Sequence, residues 1–502
     1  MANKEKKPNI PQKQIFTFID GKEVLNEGLS EKMEMLRQIQ PESPGDNGEF
    51  YEWQDYGLAE LFARLFMNEC RFCPGFKSWY VFDGGRWVKD VESVIVSGKV
   101  ADFVRLLNIY CQNIPDEDVR ENYGKYIHKI GDRRARDRIM KDAKSNMTID
   151  AEQFDQSPYL INCLNGTYDL KTNKFYHAKA EDFITKQTHF NYTRQKNAKS
   201  DLWIKFIDDI TEHNKDKSDY IQRALGYSIL GKSNEECMFI LHGKTTRNGK
   251  STLLNTIEYM LGDYATVSPV GIICKGRKST AENASPMIMN LKGRRFVTMA
   301  ESDEYGKLDE EVIKQLTGGE KITGRALYQN AVTFLPQFTL WLSCNDLPAV
   351  TDKSLFASDR IRVIEFTKHF SQKEQDKNLK NKLTTPENMK GIFAWLIEGY
   401  KKYQKQGLVM SDDMQRVVRK YESDNDVVLQ FLMEKCERVP ESSIKAKDLY
   451  REFKLWLRAE GYPVKMSIRK FNDEMERHIE FYDEITFPQR YRTYKGCAIR
   501  HN

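Results

Sequence analysis

The sequence predicts an α/β protein built around a nucleotide-binding parallel sheet. Two observations carry this. Residues 238 to 262, MFILHGKTTRNGKSTLLNTIEYMLG, run from an apolar strand through a glycine-bounded loop into a helix with apolar spacing. From about 237 to 367, short apolar strands alternate with helices, as an α/β nucleotide-binding domain requires. With 502 residues the chain has room for roughly two to four domains, each able to bury a core without metal or disulfide staples.

In chain order, residues 1–50 are polar, carry Lys4, Lys6 and Lys7 and the run PESPGDNGE, and are expected to form a flexible arm. An α+β N-terminal domain is expected over 51–195. In it EWQDYGLAELFARLFMNEC has helical spacing, and SWYVFDGGRWVKD reads as a hairpin turning at Asp83-Gly84-Gly85. Helices continue to about residue 145. One of them, GDRRARDRIMKDAK, gathers Arg133, Arg134, Arg136, Arg138, Lys141 and Lys144 within about three turns. It reads equally as a solvated face, with Asp132, Asp137 and Asp142 supplying ion pairs, or as a phosphate-contacting surface. LINCLNGTYDLKTNKFYH is hairpin-like, and a polar link follows at 194 to 200. A helical collar over 196–236, the parallel-sheet domain over 237–370, a helical segment over 371–425 and a small domain over 426–502 are expected to complete the order. There is no internal repeat or low-complexity tract.

Nine scattered cysteines, with no apolar signal segment at the start, point to a reducing cytoplasm, and no run approaches the length of a membrane span. Cys70 and Cys73 form the one close pair; lacking two further ligands nearby, they read as packed thiols and not as a zinc site. The net charge of +5, from 78 basic and 73 acidic residues, is too even to argue for nucleic acid without local clustering.

Gly243-Lys244-Thr245-Thr246-Arg247-Asn248-Gly249-Lys250-Ser251 fits G-x-x-x-x-G-K-[ST] between strand and helix, and Thr252 follows in the first turn. The glycines let backbone N–H groups converge on a phosphate, where the helix N-terminus adds partial positive charge. Lys250 is expected to hold the β- and γ-phosphates, and Ser251 to ligate Mg2+. Hydrolysis also needs an acid at the end of a neighbouring strand. RRFVTMAE supplies Glu301, with Asp303 and Glu304 just beyond, so Glu301 is expected at the metal or the attacking water. FTLWLSCND ends in Asn345, a polar group suited to orienting that water. SDRIRVIEF supplies Arg360 and Arg362; these read as surface charges or as an arginine finger given across a subunit boundary, with Arg360 favoured.

The phosphate loop, Glu301, Thr317-Gly318-Gly319, Asn345 and Arg360, in that order, resemble the superfamily-3 helicases, in particular the phage, plasmid and poxvirus primase-helicase branch. GKTTRNGKST, LKGRRFVTMAES, LDEEVIKQLTGGEKITGRALYQNAVTFLPQFTLWLSCNDLP and SDRIRVIEF carry the likeness, with WYVFDGGRW and the 160 to 192 segment upstream. In organisation the chain is similar to replication initiator-helicases of staphylococcal mobile islands and cassettes. The resemblance implies an AAA+-like motor assembled as a hexameric ring around DNA, with ATP and Mg2+ between subunits. It gives Lys250 and Ser251 the nucleotide, Glu301 the Walker B role, Asn345 the sensor role and Arg360 the finger. The spacing Ala300-Glu301-Ser302-Asp303 departs from the paired acids of many members and leaves the second acidic role open.

Between 319 and 338 the alternation suggests two strands joined around 329 to 331, where this superfamily projects a hairpin into the channel. Lys321, Arg325, Tyr328 and Asn330 are the candidate DNA contacts, against a plain solvent-facing hairpin; Lys314 is a further candidate for nucleotide or channel. The last domain reads as three helices followed by two strands, an order that suits a winged helix. Arg469 and Lys470 would lie on the third helix and enter the major groove. Residues 485 to 502 carry Arg490, Arg492, Lys495 and Arg500 with no acid, among Phe487, Tyr491 and Tyr494. Asp473, Glu474 and Glu476 favour a protein-docking alternative.

The expected activity is ATP-dependent DNA unwinding, 3′ to 5′ as the resemblance implies, coupled to replication initiation of a mobile genetic element. The expected partners are single- and double-stranded DNA including an origin, copies of the chain itself, and host replication proteins, with no membrane. The alternatives are an origin-binding scaffold with a regulatory ATPase, and a fused active primase. For the latter, FIDDI (206 to 210) and FDGG (82 to 85) read as helix and turn and not as metal-binding carboxylates.

Overall fold

The structure, a computed structural model, describes residues 16–19, 22–25, 27–39, 54–194, 198–275, 286–300, 306–327, 330–350, 354–462 and 466–500. It opens with an antiparallel pair, β1 (Phe16–Ile19) and β2 (Lys22–Leu25), and helix α1 (Glu27–Ile39). These elements lie within the span expected as a flexible arm, of which residues 1–15 and 40–50 lie outside the described residues. Leu29, Met33 and Leu36 recur at helical spacing and are buried, the last two in the N-terminal core. Lys32 on the same helix is ion-paired with Glu69, which also binds Lys99.

Helix α2 (Asp55–Phe66) leads into a three-stranded meander, β3 (Cys70–Cys73), β4 (Ser78–Phe82) and β5 (Trp87–Asp90). Asp83 Oδ1 accepts from the amides of Gly85 and Arg86 at 2.8 Å, which makes the tight turn. Helices α3 (Val94–Gln112), α4 (Glu117–Ile130) and α5 (Arg133–Asn146) close over this sheet. Their common core stacks Phe62 on Phe66 and sets Phe103 edge to face against both, and Cys70 and Cys73 are fully buried. A second meander follows, β6 (Leu160–Cys163), β7 (Gly166–Asp169) and β8 (Lys174–Tyr176). Next come α6 (Asp201–Ile210), which contains FIDDI, and α7 (Lys215–Ser228).

The central sheet is built from β9 (Met238–His242), β10 (Ala265–Val267), β11 (Phe296–Ala300), β14 (Thr339–Cys344) and β15 (Ile361–Glu365). All four pairings are parallel, in the order β10-β11-β14-β9-β15. Every residue of β9 is buried, as in strands covered on both faces, and Phe239 stacks on Trp341 with ring centroids 4.3 Å apart. Helix α8 (Lys250–Leu261) follows β9 and buries Leu253, Leu254, Ile257 and Met260. Helix α9 (Glu310–Thr317) leads to a separate antiparallel hairpin, β12 (Ile322–Arg325) and β13 (Ala331–Phe334), and α10 (Ser354–Ala357) precedes β15.

Beyond the sheet lie α11 (Leu379–Leu383), α12 (Pro386–Gln406) and α13 (Asp412–Asp424). Helix α12 touches α7 backbone to backbone. A Cβ on Gly226 would lie 2.2 Å from Tyr400 N, and one on Gly399 2.1 Å from Gln222 O, so only glycine permits this crossing. The last unit runs α14 (Val427–Lys435), β16 (Cys436–Lys445), α15 (Ala446–Ala459), α16 (Ile468–Met475), β17 (Glu484–Thr486) and β18 (Thr493–Ile499). Its sheet order is β16-β18-β17, over a core of Phe431, Phe453, Phe471 and Tyr494. Strand β16 is an addition to the expected three helices and two strands. Among the described residues no helix is long and apolar enough to cross a membrane.

Candidate functional site

Because the five central strands run the same way, their following loops gather at one end of the sheet, where α/β folds bind ligands. The loop after β9 occupies that end. Gly249 takes φ +90°, and a Cβ there would lie 2.5 Å from Ile210 Cγ2 on α6. A side chain at Gly243 would meet Phe366 O at 2.5 Å and Lys250 Nζ at 3.3 Å. Asn248 Nδ2 donates to Thr245 O at 2.6 Å, folding the loop on itself. From outside, Phe370 N donates to Arg247 O at 3.0 Å, and His369 Nδ1 lies 2.8 Å from Thr246 O. The segment after β15 therefore braces the loop.

Lys250 is buried at the start of α8; its Nζ donates to Gly243 O at 2.8 Å and to Asn345 Oδ1 at 3.2 Å. Asn345 follows β14, the strand paired with β9, so adjacent strand ends deliver the two side chains to one point. Lys244, Thr245, Thr246, Arg247 and Ser251 are exposed, and Thr252 is half-buried. The donor set fits a polyphosphate: a loop bounded by two glycines that leave no room for a side chain, amides at a helix N-terminus and one buried ammonium. Ser251, exposed in the first turn of α8, offers a hydroxyl of the kind that ligates Mg2+ there. His242, buried at the end of β9, has its imidazole pKa pushed down by burial; Glu365, 3.9 Å away, acts in the opposite direction. The sequence reading missed His242, His369 and Phe370, none of which carries a motif.

Glu301 lies outside the described residues, as do Asp303 and Glu304; β11 ends at Ala300, paired with Ser343. Arg360 sits at the other end of the sheet, where Met238 N donates to its carbonyl at 2.8 Å. Its guanidinium is ion-paired with Glu236 and donates to Thr317 Oγ1 at 2.9 Å. Arg362 is buried on β15, donates to Leu408 O at 3.3 Å and lies 3.9 Å from Asp359.

Lys321, Arg325 and Asn330 are exposed on the β12–β13 hairpin, and Tyr328 lies outside the described residues. Leu327 beside it, 75% exposed, was not singled out from the sequence. Lys314 lies in the last turn of α9. In the C-terminal unit Arg469 and Lys470 are exposed in the first turn of α16, and Arg490 is exposed between β17 and β18 with Phe487 and Tyr491. Arg492 is ion-paired with Glu476, and Lys495 with Glu484 at 3.2 Å. The Lys495–Glu484 pair is exposed and contributes only about 0–1 kcal/mol, so a competing phosphate can displace its carboxylate, whereas the Arg492 side chain is mostly buried against Tyr494.

Loop, helix and five parallel strands define a P-loop-like nucleotide-binding core within a mixed α/β chain. Three family models match in order: "D5 N terminal like" over 59–212, "Family of unknown function (DUF5906)" over 241–360 and "Poxvirus D5 protein-like" over 423–493. The chain is 25% identical over 441 residues to "Putative helicase L207/L206" of Acanthamoeba polyphaga mimivirus, covering 79% of this chain and 45% of that protein. It is 24% identical to "Primase D5" of Fowlpox virus, over 47% of this chain and 30% of that one. To "Putative primase C962R" of African swine fever virus it is 21% identical, over 97% and 51%. By these matches the chain is similar to D5 proteins and to viral proteins named as helicases and primases. It spans about half, or less, of the length of the curated relatives it matches. An apo structure of the NrS-1 C-terminal region aligns over 87% of this chain and 99% of that one, with 10% identity and a TM-score of 0.49.

Proposed function

We propose that the chain is an ATP-dependent DNA helicase that also initiates replication of a mobile genetic element, acting as a hexameric ring and translocating 3′ to 5′. The observation that carries this reading is the meeting of Lys250 and Asn345 over a cradle closed to side chains, at the carboxyl end of a five-stranded parallel sheet. Numbered in sequence within that sheet, the strands run 2-3-4-1-5, an AAA+-like arrangement with the phosphate-loop strand beside the sensor strand. Bound ATP with Mg2+ supplies the free energy. Lys250 and the loop amides hold its phosphates, Ser251 and Glu301 the metal, and Asn345 orients the attacking water. Arg360 serves as the finger for a neighbouring subunit, and Lys321, Arg325, Tyr328 and Asn330 track the DNA backbone.

The domain divisions stand within the same reading: collar helices over 196–236, motor over 237–370 and winged helix over 426–502. What supports the winged helix is the order helix-strand-helix-helix-strand-strand, with Arg469 and Lys470 on the third helix and Arg490 in the wing. Origin recognition is assigned to this unit.

The test is unwinding of duplexes carrying 3′ or 5′ tails. The wild-type chain unwinds the 3′-tailed substrate, and Lys250→Ala abolishes both ATP hydrolysis and unwinding while keeping its thermal midpoint. Unwinding retained by Lys250→Ala removes the motor assignment. DNA-stimulated hydrolysis by wild type without strand separation favours the scaffold with a regulatory ATPase.

A further inference from the structure

Helices α4 and α5 pack against one another and meet at Gly131-Asp132. Each buries one stripe in the N-terminal core: Tyr123, Ile127 and Ile130 from α4, and Ala135, Ile139 and Ala143 from α5. Helical geometry then turns Lys125 and Lys129 outward from α4, and Arg134, Asp137 and Lys141 outward from α5, and all five are exposed. Between residues 124 and 144 the sequence holds eight Lys and Arg against three Asp. The remainder of the chain holds 70 of each sign, so this corner carries the whole net charge of +5.

Little of that charge is neutralised within the chain. Arg138 Nε pairs with Asp55 at 2.7 Å, and Lys144 Nζ lies over the Phe72 ring at 4.7 Å. Arg133 reaches Asp137 only at 3.9 Å, with both side chains largely exposed. Among the described residues, Lys125, Arg134 and Lys141 have no carboxylate partner. Tyr126 is the one large apolar side chain the corner exposes, and Lys129 Nζ lies 5.9 Å from its ring. A protein partner draws on a buried apolar centre, which this corner lacks. A phosphate backbone needs spaced cations and an occasional aromatic face, which it has.

We infer that the α4–α5 corner is a nucleic-acid backbone site, separate from the motor hairpin and the C-terminal unit, whose basic side chains contact phosphates without reading sequence. The inference rests on the proposed DNA-dependent reading of the chain, and adds a contact surface on a part to which that reading gives no DNA contact.

The test uses the full chain and its Lys125→Ala/Arg134→Ala/Lys141→Ala variant, with fluorescent oligothymidylate titrated over a range of salt concentrations. Each phosphate contact on a single strand contributes about 0.7 to the slope of log K against log salt, so the variant should lose about 2 from that slope if all three residues touch phosphate. ATP hydrolysis without DNA should be unchanged, since no residue of the triple touches the phosphate loop. The charge-conserving variant Lys125→Arg/Arg134→Lys/Lys141→Arg should keep the wild-type slope, which separates lost charge from lost fold. A neutral triple that melts normally and keeps the wild-type slope overturns the inference, as does a charge-conserving triple that loses the slope equally. Failure of the underlying reading looks different: the wild-type chain itself then shows no salt-dependent DNA binding.

Discussion

Gly249→Ala tests the shape of the phosphate loop where the backbone has least freedom. The residue sits at φ +90°, and an added Cβ would lie 2.5 Å from Ile210 Cγ2. The left-handed backbone costs an L-residue about 1–2 kcal/mol, and forcing a methyl into packed space about 1–3 kcal/mol more. The loop relieves both by moving, so holding it in the binding shape costs about 2–5 kcal/mol in total. At about 1.4 kcal/mol per tenfold, that is a loss of roughly 30-fold to 3,000-fold in nucleotide affinity. Titration calorimetry with a non-hydrolysable ATP analogue measures it, and thermal unfolding without nucleotide should show a much smaller change. The companion Ile210→Ala removes the clashing methyl. Added to Gly249→Ala it should recover about 1–3 kcal/mol, the steric part, and leave the backbone part lost. Unchanged affinity in Gly249→Ala, or no recovery in the double variant, refutes the reasoning.

Two other predictions concern a subunit boundary and a pH-dependent clamp. Arg360→Ala and Lys250→Ala should each hydrolyse no ATP, whereas an equal mixture should regain activity at about a quarter of its interfaces, where a wild-type finger faces a wild-type loop. Absence of recovery in mixtures that still assemble counts against a shared site. Glu69 holds Lys32 on α1 and Lys99 on α3; burial alone would raise its pKa, but the two ammonium groups outweigh burial and lower it. A lowered carboxylate pKa stabilises the fold above the unfolded value, near 4.3, and that contribution fades as pH falls through the folded value. Allowing for the 30% exposure of its side chain, Glu69→Gln should cost about 1–2 kcal/mol at pH 7. The gap between the two melting temperatures should narrow below about pH 4; a gap constant with pH would show that the ion pairs contribute nothing.

The phosphate loop was legible because its demands are local: glycines where side chains cannot fit, an apolar strand before and an amphipathic helix after. The parallel strands were legible because burial on both faces writes continuous apolar runs such as MFILH and TLWLSC. Strand β16 was not. CERVPESSIK exposes most of its residues at a sheet edge and contains Pro440, so neither alternation nor hydrophobicity marks it. Helix α1 was hidden in a polar stretch, since three apolar residues suffice to dock it once α2 and α3 supply the other face. The bond between Lys250 and Asn345 joins residues far apart in the chain, and the ion pair of Arg360 with Glu236 similarly depends on tertiary folding. No local spacing encodes either.

The position of Arg360 restricts what it can do. Its carbonyl is hydrogen-bonded to Met238, the first residue of β9, while the phosphate loop begins after His242, the last. At about 3.3 Å per residue those ends are roughly 13 Å apart, well beyond the reach of one arginine side chain. Arg360 therefore cannot serve the phosphate loop of its own chain. Either it acts on another copy or it is structural, bound to Glu236 and to Thr317 at the end of α9. On the proposed reading, engaging a neighbour's nucleotide means leaving both partners. Thr317 is separated only by Gly318, Gly319, Glu320 and Lys321 from the first strand of the β12–β13 hairpin. Release of Arg360 would remove one hydrogen bond from Thr317, just ahead of that hairpin, while Ile322 and Phe334 at the hairpin base stay packed in the core. On the proposed reading, the short link from Thr317 to β12 would be the path by which a finger engaged at one interface reaches the hairpin of its own chain.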